Sequence, residues 1–360
     1  MIATLIFILI LSLLIIAHEF GHFVVAKKNG VRVEQFSLGF GPCLLRKQMG
    51  DTEYSLNLIP LGGYIKMAGD DLQEREGKSD EYFSKSPGKR FQIIFSGPLL
   101  NYLLGLVFFW VIFLIGYPAL TTKVGGLIEG FGAQAAGLKV GDKISSINSR
   151  KVYFWQDLQQ EIQKNRSAGS VNLTVSRDGE EFKIKVNLKE QSAQDSLGQK
   201  RNLSLMGITP FDEVVEIREG PIKSIFLAVE KTWELTTTTY KGLWFLVTGK
   251  LSMRESMAGP LEIFFMTSKA AALGLVAVLH LMAALSISLA LFNLLPVPVL
   301  DGGHLLLLGI EKIRRRPLGI KVERLLTNIG FSLLLTLVVL VTYNDILRRY
   351  GENIHKFISK

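Results

Sequence analysis

Four long runs without Asp, Glu, Lys or Arg dominate the hydrophobic pattern of this chain. They cover residues 1–17, 91–122, 270–300 and 325–344. An apolar run of about 18 or more residues is long enough to cross a bilayer as a helix. The first run continues in apolar character to Ala26, so the pattern predicts spans at about 2–26, 93–117, 272–295 and 328–346. We therefore expect a polytopic α-helical membrane protein with about four transmembrane helices.

The stretches between the predicted spans are polar and contain other periodicities. Asp51–Tyr64 alternates partly and predicts a hairpin or short strands. Val171–Arg177 and Phe182–Leu188 alternate as half-buried strands do, and the turn sequence Arg177-Asp178-Gly179-Glu180 joins them. Helical spacing from Pro221 to about Val247, interrupted by charges, predicts an amphipathic helix at the membrane surface. The predicted domains are 1–118 (first two spans and hairpin loop), 122–190 (soluble α+β domain), 191–255 (linker, short strands and amphipathic helix) and 256–360 (last two spans and tail).

Composition narrows the class of protein. The chain has 360 residues, 48% hydrophobic and 20% charged, with a formal net charge of +9. These values, together with the four runs, exclude a wholly soluble enzyme. Since Lys and Arg flank the apolar runs, the positive charge fits a membrane protein rather than a partner of nucleic acid. The single cysteine, Cys43, excludes an intramolecular disulfide and a cysteine-based zinc site within one chain. The first span lacks a basic segment before it, so we expect it to be uncleaved.

The distribution of basic residues predicts the orientation. The loop 27–90 contains 11 Lys or Arg and the loop 301–324 contains 6. Basic loops stay in the cytoplasm. We therefore expect both loops inside the cell, and the domain 122–190 and both termini outside. Arg348 and Arg349 in the tail count mildly against this arrangement.

The segment His18-Glu19-Phe20-Gly21-His22, near the end of the first span, matches the pattern H-E-x-x-H. Positions i and i+4 share one face of a helix, so both imidazoles can reach one metal ion. Glu19 can then take a proton from bound water. Ionisable groups inside a span are costly and mark functional sites. The alternative is a pair of hydrogen-bonded histidines with no catalytic role.

A catalytic zinc ion needs a third protein ligand and an open position. Val25 and Lys28 occupy the positions at which soluble zincins extend this motif, and Glu34 lies in the polar loop. Asp301 is the better candidate because prolines and glycines surround it at the end of the third run, which is typical of a broken helix lining a cavity. The first and third spans run in the same direction, so His18 and Asp301 arrive at the same side of the membrane. The alternative for Asp301 is a turn residue at a helix end.

Three further motifs accompany these residues. Residues 96–101 read S-G-P-L-L-N, residues 293–304 read N-L-L-P-V-P-V-L-D-G-G-H, and residues 136–144 contain A-G-L-x-x-G-D-x-I. Together with H-E-x-x-H they resemble the site-2 protease family, and more narrowly the RseP-type bacterial intramembrane zinc metalloproteases, over essentially the whole chain. In that family the last motif belongs to a PDZ-like domain. Residues 122–190 have room for one such domain, whereas the best-known enterobacterial form has two in tandem.

The resemblance implies a fold, a reaction and a set of site residues. The fold is a bundle of spans with a small membrane-associated β element and an inserted PDZ-like domain. The function is regulated intramembrane proteolysis of single-span membrane proteins, such as anti-sigma factors or remnant signal peptides. His18, His22 and Asp301 would hold one Zn²⁺ per chain, with Glu19 as general base. Asn293 would hold the substrate; the alternative is that it only caps or bridges helices. Independently of the resemblance, His304 is a tempting fourth ligand, but a fourth ligand would close the open position, so we interpret it as a hydrogen-bonding neighbour of the metal.

Several implications concern partners. The region around Ser55–Met67, with Gly62 and Gly63, resembles the family's β element, whose edge could pair with an unwound substrate. An ordinary cytoplasmic loop is the alternative. The PDZ-like domain could bind peptides or filter substrates by the size of their outer domains, and the sequence leaves this open. We expect a multi-pass protein in the lipid of the bacterial cytoplasmic membrane, with its active site near the cytoplasmic side.

Two other classes of function compete with a protease. A non-catalytic membrane adaptor would hold partners through the PDZ-like domain, but it would not need a complete set of metal ligands inside the membrane. A transporter with an ion site at the membrane midplane would favour inverted internal repeats, which the sequence lacks.

Overall fold

A computed structural model describes residues 2–71, 73, 75–194, 200–252, 258–315 and 319–358. The chain forms two compact units. The first, which we call the membrane unit, comprises Met1–Ile112 and Pro221–Lys360. The second, which we call the inserted module, comprises Phe113–Gly220.

The described part of the chain contains both helices and strands. The helices are α1 (Ile2–Lys28), α2 (Pro87–Ile115), α3 (Gly132–Ala135), α4 (Trp155–Lys164), α5 (Pro221–Val247), α6 (Pro260–Leu273), α7 (Leu275–Asn293), α8 (Asp301–Arg314) and α9 (Ile320–Ile358). The strands are β1 (Val33–Met49), β2 (Thr52–Met67), β3 (Tyr117–Leu120), β4 (Val124–Leu127), β5 (Lys143–Ile147), β6 (Arg150–Lys151), β7 (Ser170–Arg177), β8 (Glu180–Asn187), β9 (Lys189–Gln194), β10 (Lys200–Leu205), β11 (Ile208–Pro210) and β12 (Val214–Ile217).

Within the part of the chain that the structure describes, four helices are long and apolar enough to cross a membrane. They are α1, α2, α7 and the part of α9 between Arg324 and Tyr350. This confirms the predicted class of polytopic α-helical membrane protein. In α7 a larger share of the residues is buried than in the other three spans. Ile10, Leu14 and Met282 form a buried cluster with Leu104 and Phe108, so α7 packs against both α1 and α2.

The polar loop after α1 forms a long, irregular β-hairpin. Strands β1 and β2 pair over most of their length, with several register shifts. Phe36 pairs with both Tyr54 and Ile65, so the first part of β1 lies between two parts of β2. Within the described residues, the end of β2 at 63–67 pairs only with this first part of β1. That segment is therefore an edge of the sheet.

The hairpin carries large apolar side chains on its surface. Phe40, Leu45, Met49, Leu58 and Ile59 are each about half exposed or more. Large exposed apolar surfaces mark protein or membrane contact sites. These exposed side chains support the expectation of a membrane-associated β element.

Helix α5 has a small, polar buried face and a large, apolar exposed face. Ser224, Ala228 and Thr232 are almost fully buried, whereas Phe226 and Trp233 are 70% and 65% exposed. Small residues allow close approach of helices in a membrane. The hydroxyls of Tyr102 on α2 and Thr236 on α5 lie 3.0 Å apart. The amphipathic helix that the spacing predicted packs against α7, and its polar face also reaches α2 through Thr236.

The inserted module is built around a four-stranded antiparallel sheet with the order β6-β5-β7-β8. Its core contains Ile144, Leu158, Leu173 and Val186. At the turn between β7 and β8, Asp178 and Gly179 both have positive φ, of 53° and 91°. These angles are those of the tight hairpin turn that the sequence predicted.

The strands at both ends of the inserted module pair with each other. β12 pairs with β3, and β11 pairs with β4. The compact unit consequently extends beyond the predicted range 122–190, because strands that the sequence analysis assigned to the following segment complete it.

Asp142, which is buried, accepts hydrogen bonds from Arg177 at 2.6 and 2.7 Å. Burial alone would raise the pKa of Asp142, but the bonds from Arg177 and from the Lys139 amide hold it below its usual range.

Candidate metal centre

Helix α1 places the H-E-x-x-H motif two turns before its end at Lys28. His18 and His22 lie on the same face, and their Nε2 atoms are 3.3 Å apart. Their side chains are only 11% and 9% exposed. Both ring nitrogens therefore face the same small volume, which a metal ion could occupy.

The third candidate ligand comes from the opposite end of the chain. Helix α7 ends at Asn293, and a turn over 294–300 leads into α8, whose first residue is Asp301. A Cβ at Gly302 or Gly303 would overlap backbone atoms of Leu294 or Val297, so only glycine allows this close packing. A carboxylate in the first turn of a helix is also favoured by the helix dipole.

The three side chains form a cluster suited to a metal ion. Asp301 Oδ2 lies 3.1 Å from His18 Nε2, and Asp301 Oδ1 lies 3.5 Å from His22 Nε2. Zinc bonds of 2.0–2.2 Å in a tetrahedral site separate neighbouring ligand atoms by roughly 3.3–3.6 Å. The two Nε2 atoms, 3.3 Å apart, and the pair His18 Nε2–Asp301 Oδ2, 3.1 Å apart, lie close to this range, and one ligand atom from each of the three residues lies within 4.8 Å of the others. In addition, Asp301 Oδ2 is buried without a hydrogen bond within the described residues, and a cation would satisfy it. The donor set of two imidazoles and a carboxylate therefore fits zinc.

Helix α2 supports the histidines closely. His22 Nδ1 lies 2.8 Å from the backbone oxygen of Ile93, to which it donates a hydrogen bond if Nε2 is kept free for a metal. A Cβ at Gly97 would overlap the His22 ring, and a Cβ at Gly21 would overlap the Ser96 backbone oxygen. The S-G-P-L-L-N stretch thus supplies the small residues that let α1 and α2 touch at the site.

A cavity of about 490 Å³ opens onto the cluster. It is lined by all four residues of the predicted catalytic set, namely His18, Glu19, His22 and Asp301. Asn293 and His304 line the same cavity. Tyr64, Met67 and Asp70 line it from the end of the hairpin. The cavity therefore connects the metal cluster with the edge of the sheet.

Of the two predicted substrate-binding glycines, Gly63 lies at that edge and Gly62 immediately precedes it. A Cβ at Gly63 would lie 3.6 Å from Glu19 Cγ, which brings the edge segment beside the predicted base. Gly62 has φ of 132°, and a Cβ there would overlap the Phe40 ring. Neither position tolerates a side chain without movement of its neighbours.

Glu34, which the sequence analysis rejected as a ligand, lies away from the cluster. It is on β1 and forms ion pairs with Arg32 at 3.2 Å and Lys66 at 3.7 Å.

Asn101 contacts the site although the sequence analysis gave it no role. Its amide nitrogen is 3.5 Å from His18 Nδ1. The signal available in the sequence was its spacing of four from Gly97, which puts both on one face of α2.

Comparisons with known proteins match nearly the whole chain to one family of peptidases. The model of peptidase family M50 matches residues 6–337. Atu1380 of Agrobacterium fabrum, named as a candidate zinc metalloprotease, is 34% identical over 359 residues, covering 94% of each chain. Zinc metalloprotease RasP of Oceanobacillus iheyensis is 27% identical over 424 residues, covering 96% of this chain and 98% of RasP. Among solved structures, the PDZ domain of an SdrC-like protein of Listeria monocytogenes aligns with 26% of this chain and 87% of that domain, at 20% identity and a TM-score of 0.20.

Proposed function

Because the chain belongs to peptidase family M50, we propose that it hydrolyses peptide bonds within the membrane-spanning segments of single-span proteins. Family membership makes it a bacterial membrane protein and a zinc metalloprotease of the site-2 type. The observation that supports proteolysis within the membrane is the convergence of His18, His22 and Asp301 among its spans. A cavity reaches these residues from the end of the hairpin.

In this proposal His18, His22 and Asp301 hold one zinc ion per chain. Zinc bound there would polarise the scissile carbonyl group and lower the pKa of a water molecule to about 7. With three protein ligands, a fourth position stays open for substrate. His304 lines the cavity without joining the cluster, and it is a hydrogen-bonding neighbour in this scheme.

Glu19 is the general base and acid. Its carboxylate takes a proton from the attacking water as the carbon–oxygen bond forms. The protonated carboxyl group then gives this proton to the leaving amine nitrogen as the peptide bond breaks. It is well placed for both transfers because it lines the same cavity and lies one residue from His18.

The substrate must unwind before cleavage, since the carbonyl groups of a helix are already hydrogen-bonded within it. We assign its binding to the edge segment 63–67, which offers backbone groups for pairing with an extended strand. The proximity of Gly63 to Glu19 would bring such a strand to the base. The side-chain amide of Asn293, at the end of α7, would hold the substrate from the other wall of the cavity.

The inserted module would restrict which membrane proteins reach the site. In the orientation predicted from basic residues, the module is outside the cytoplasm and the metal centre is near the cytoplasmic side. Single-span proteins already trimmed of their outer domain, such as anti-sigma-factor-like proteins or remnant signal peptides, are then the expected substrates. The module would act on them as a size filter or as a peptide-binding domain.

Cleavage of a model single-span substrate by the full chain in detergent tests the proposal. Wild type should cleave it, while Glu19→Gln or a zinc chelator should abolish cleavage. Removal of a single catalytic carboxylate leaves the ligands intact, so Glu19→Gln should retain about one zinc ion per chain. Glu34→Gln is the matched control, because Glu34 is a carboxylate outside the metal cluster.

Two results would contradict the proposal. Cleavage that persists in the Glu19→Gln variant would contradict the assignment of Glu19 as the general base. Absence of bound zinc in wild type would refute the assignment of the zinc site and favour the alternative function as a non-catalytic membrane adaptor.

A further inference from the structure

Asn101 lies on the face of α2 that supports both candidate histidine ligands. Its side chain is completely buried. Its backbone oxygen accepts a hydrogen bond of 2.7 Å from Ser286 Oγ, which fixes this point of α2 against α7. Gly97, one turn earlier on α2, contacts the His22 ring. Asn101 therefore occupies an ordered position next to His18.

The position of the ring proton in a metal-bound His18 determines which hydrogen-bonding group Asn101 must present to it. A neutral imidazole carries one proton, and a metal bound at Nε2 requires that proton to be on Nδ1. Nδ1 of His18 faces the Asn101 side-chain amide at 3.5 Å. The buried Nδ1–H then needs an acceptor, since an unpaired buried donor costs about 1–3 kcal/mol. An amide nitrogen cannot accept it, but an amide oxygen can.

The amide oxygen of Asn101 is available for this role. Asn101 Oδ1 is buried and has no hydrogen-bond partner within the described residues. Rotation of the planar amide by half a turn exchanges the oxygen and nitrogen with little change in shape. After this rotation, Oδ1 of Asn101 faces Nδ1 of His18 and can accept the hydrogen bond from its proton.

His22 provides a parallel on the same helix. Its Nδ1 faces the backbone oxygen of Ile93 at 2.8 Å, leaving Nε2 free for a metal. Histidine ligands commonly donate their second ring proton to an oxygen, which fixes the tautomer and the ring orientation. Ile93 supplies that oxygen for His22, and His18 has Asn101 at the equivalent place.

We propose that Asn101 is a positioning residue whose side-chain oxygen accepts the Nδ1 proton of His18 and directs Nε2 of that ring at the metal. The inference rests on the proposed zinc centre. It adds a role for the asparagine of the S-G-P-L-L-N stretch, which acts through His18 and does not touch the substrate.

Zinc affinity tests the inference without a need for proteolysis. The full chain carrying Glu19→Gln is the parent, and its affinity is measured in detergent by competition with a chromogenic chelator. Asn101→Leu removes the acceptor at similar volume and should weaken zinc binding by about 10- to 100-fold. Asn101→Asp retains an acceptor and should bind zinc nearly as tightly as the parent. Tyr102→Phe, which removes the hydroxyl that contacts Thr236, is the control and should not change the affinity.

Each other outcome has a defined meaning. Parental zinc affinity in a folded Asn101→Leu variant would overturn the role of Asn101. Equal weakening by Asn101→Leu and Asn101→Asp, with equal loss of thermal stability, would also overturn it, because that pattern indicates a packing role alone. A parent that binds no zinc would refute the proposed zinc centre itself, which separates the two failures.

Discussion

At the residue scale, Gly21 and Gly97 determine how closely the first two spans approach. Each faces the opposite helix at a distance that leaves no space for a Cβ. The His22 ring occupies the space next to Gly97, with its Nε2 directed to Asp301. Interfaces between membrane helices commonly use small residues in this way. Here the small residues also define the position of a candidate ligand.

We expect Gly97→Ala to impair the metal centre. The added methyl group would overlap the His22 ring, so either the ring or α2 must shift. A displaced ligand should lower zinc affinity by about 10-fold or more, measured by chelator competition. Gly88→Ala in the same helix is the control, since a Cβ there would meet no atom within 4 Å. Unchanged zinc affinity in Gly97→Ala would show that the approach of the two helices is not required.

The residues that carry charge were the predictable part of the site. His18, Glu19 and Asp301 are conspicuous because ionisable groups are expensive in a span. Asn101 was not assigned, because its contact with His18 depends on which face of α2 meets α1. That helix is apolar on nearly every face, so its hydrophobic pattern gives no direction. Only the small residues on one face indicate the contact.

At the scale of elements, an ion pair joins the start of α2 to the helix that begins with Asp301. Arg90 donates two hydrogen bonds to Glu311, of 3.1 and 2.5 Å. The Arg90 side chain is 6% exposed and that of Glu311 20% exposed. Paired hydrogen bonds between a guanidinium and a carboxylate fix orientation as well as distance. The pair therefore holds α8, and with it Asp301, against α2.

We expect the single variant Arg90→Met to destabilise the protein more than the double variant Arg90→Met/Glu311→Met. Removal of one partner leaves a largely buried carboxylate without its countercharge, which costs about 3–5 kcal/mol, whereas removal of both leaves no unpaired charge. Thermal unfolding in detergent would measure the difference. If the double variant loses as much as the sum of the two single variants, the two residues do not interact.

The spans were easier to predict than the sheet. A helix that crosses a bilayer requires only an apolar run of sufficient length, and this criterion found all four. Strands β1 and β2 are longer than the hairpin predicted at Asp51–Tyr64, and the alternation of side chains is broken by register shifts. Phe36 pairs on both sides, and no local pattern reports such pairing. The edge at 63–67 follows from that non-local arrangement.

At the scale of the whole molecule, the distribution of basic residues predicts the sides of the membrane. Lys78 lies in the loop between α1 and α2, and Lys183 lies on β8 of the inserted module. Both side chains are exposed. They are therefore suitable reporters for the cytoplasmic and the outer side.

We expect these two positions to label differently in intact spheroplasts. In a Cys43→Ser background, Lys183→Cys should react with a membrane-impermeant maleimide, because the module is predicted to be outside. Lys78→Cys should react only after the membrane is permeabilised. The opposite pattern would invert the orientation and place the metal centre near the outer face.

The candidate ligands are distributed unevenly along the chain. His18 and His22 lie in the first helix, whereas Asp301 follows after more than three quarters of the sequence. During synthesis, the histidines enter the membrane long before the ribosome reaches the aspartate. A chain still being made therefore lacks one of the three ligands until the inserted module and the third span have been produced. The enzyme would acquire its proteolytic activity only after Asp301 has been synthesised, so a nascent chain that stops before this residue poses little danger to other proteins in the same membrane.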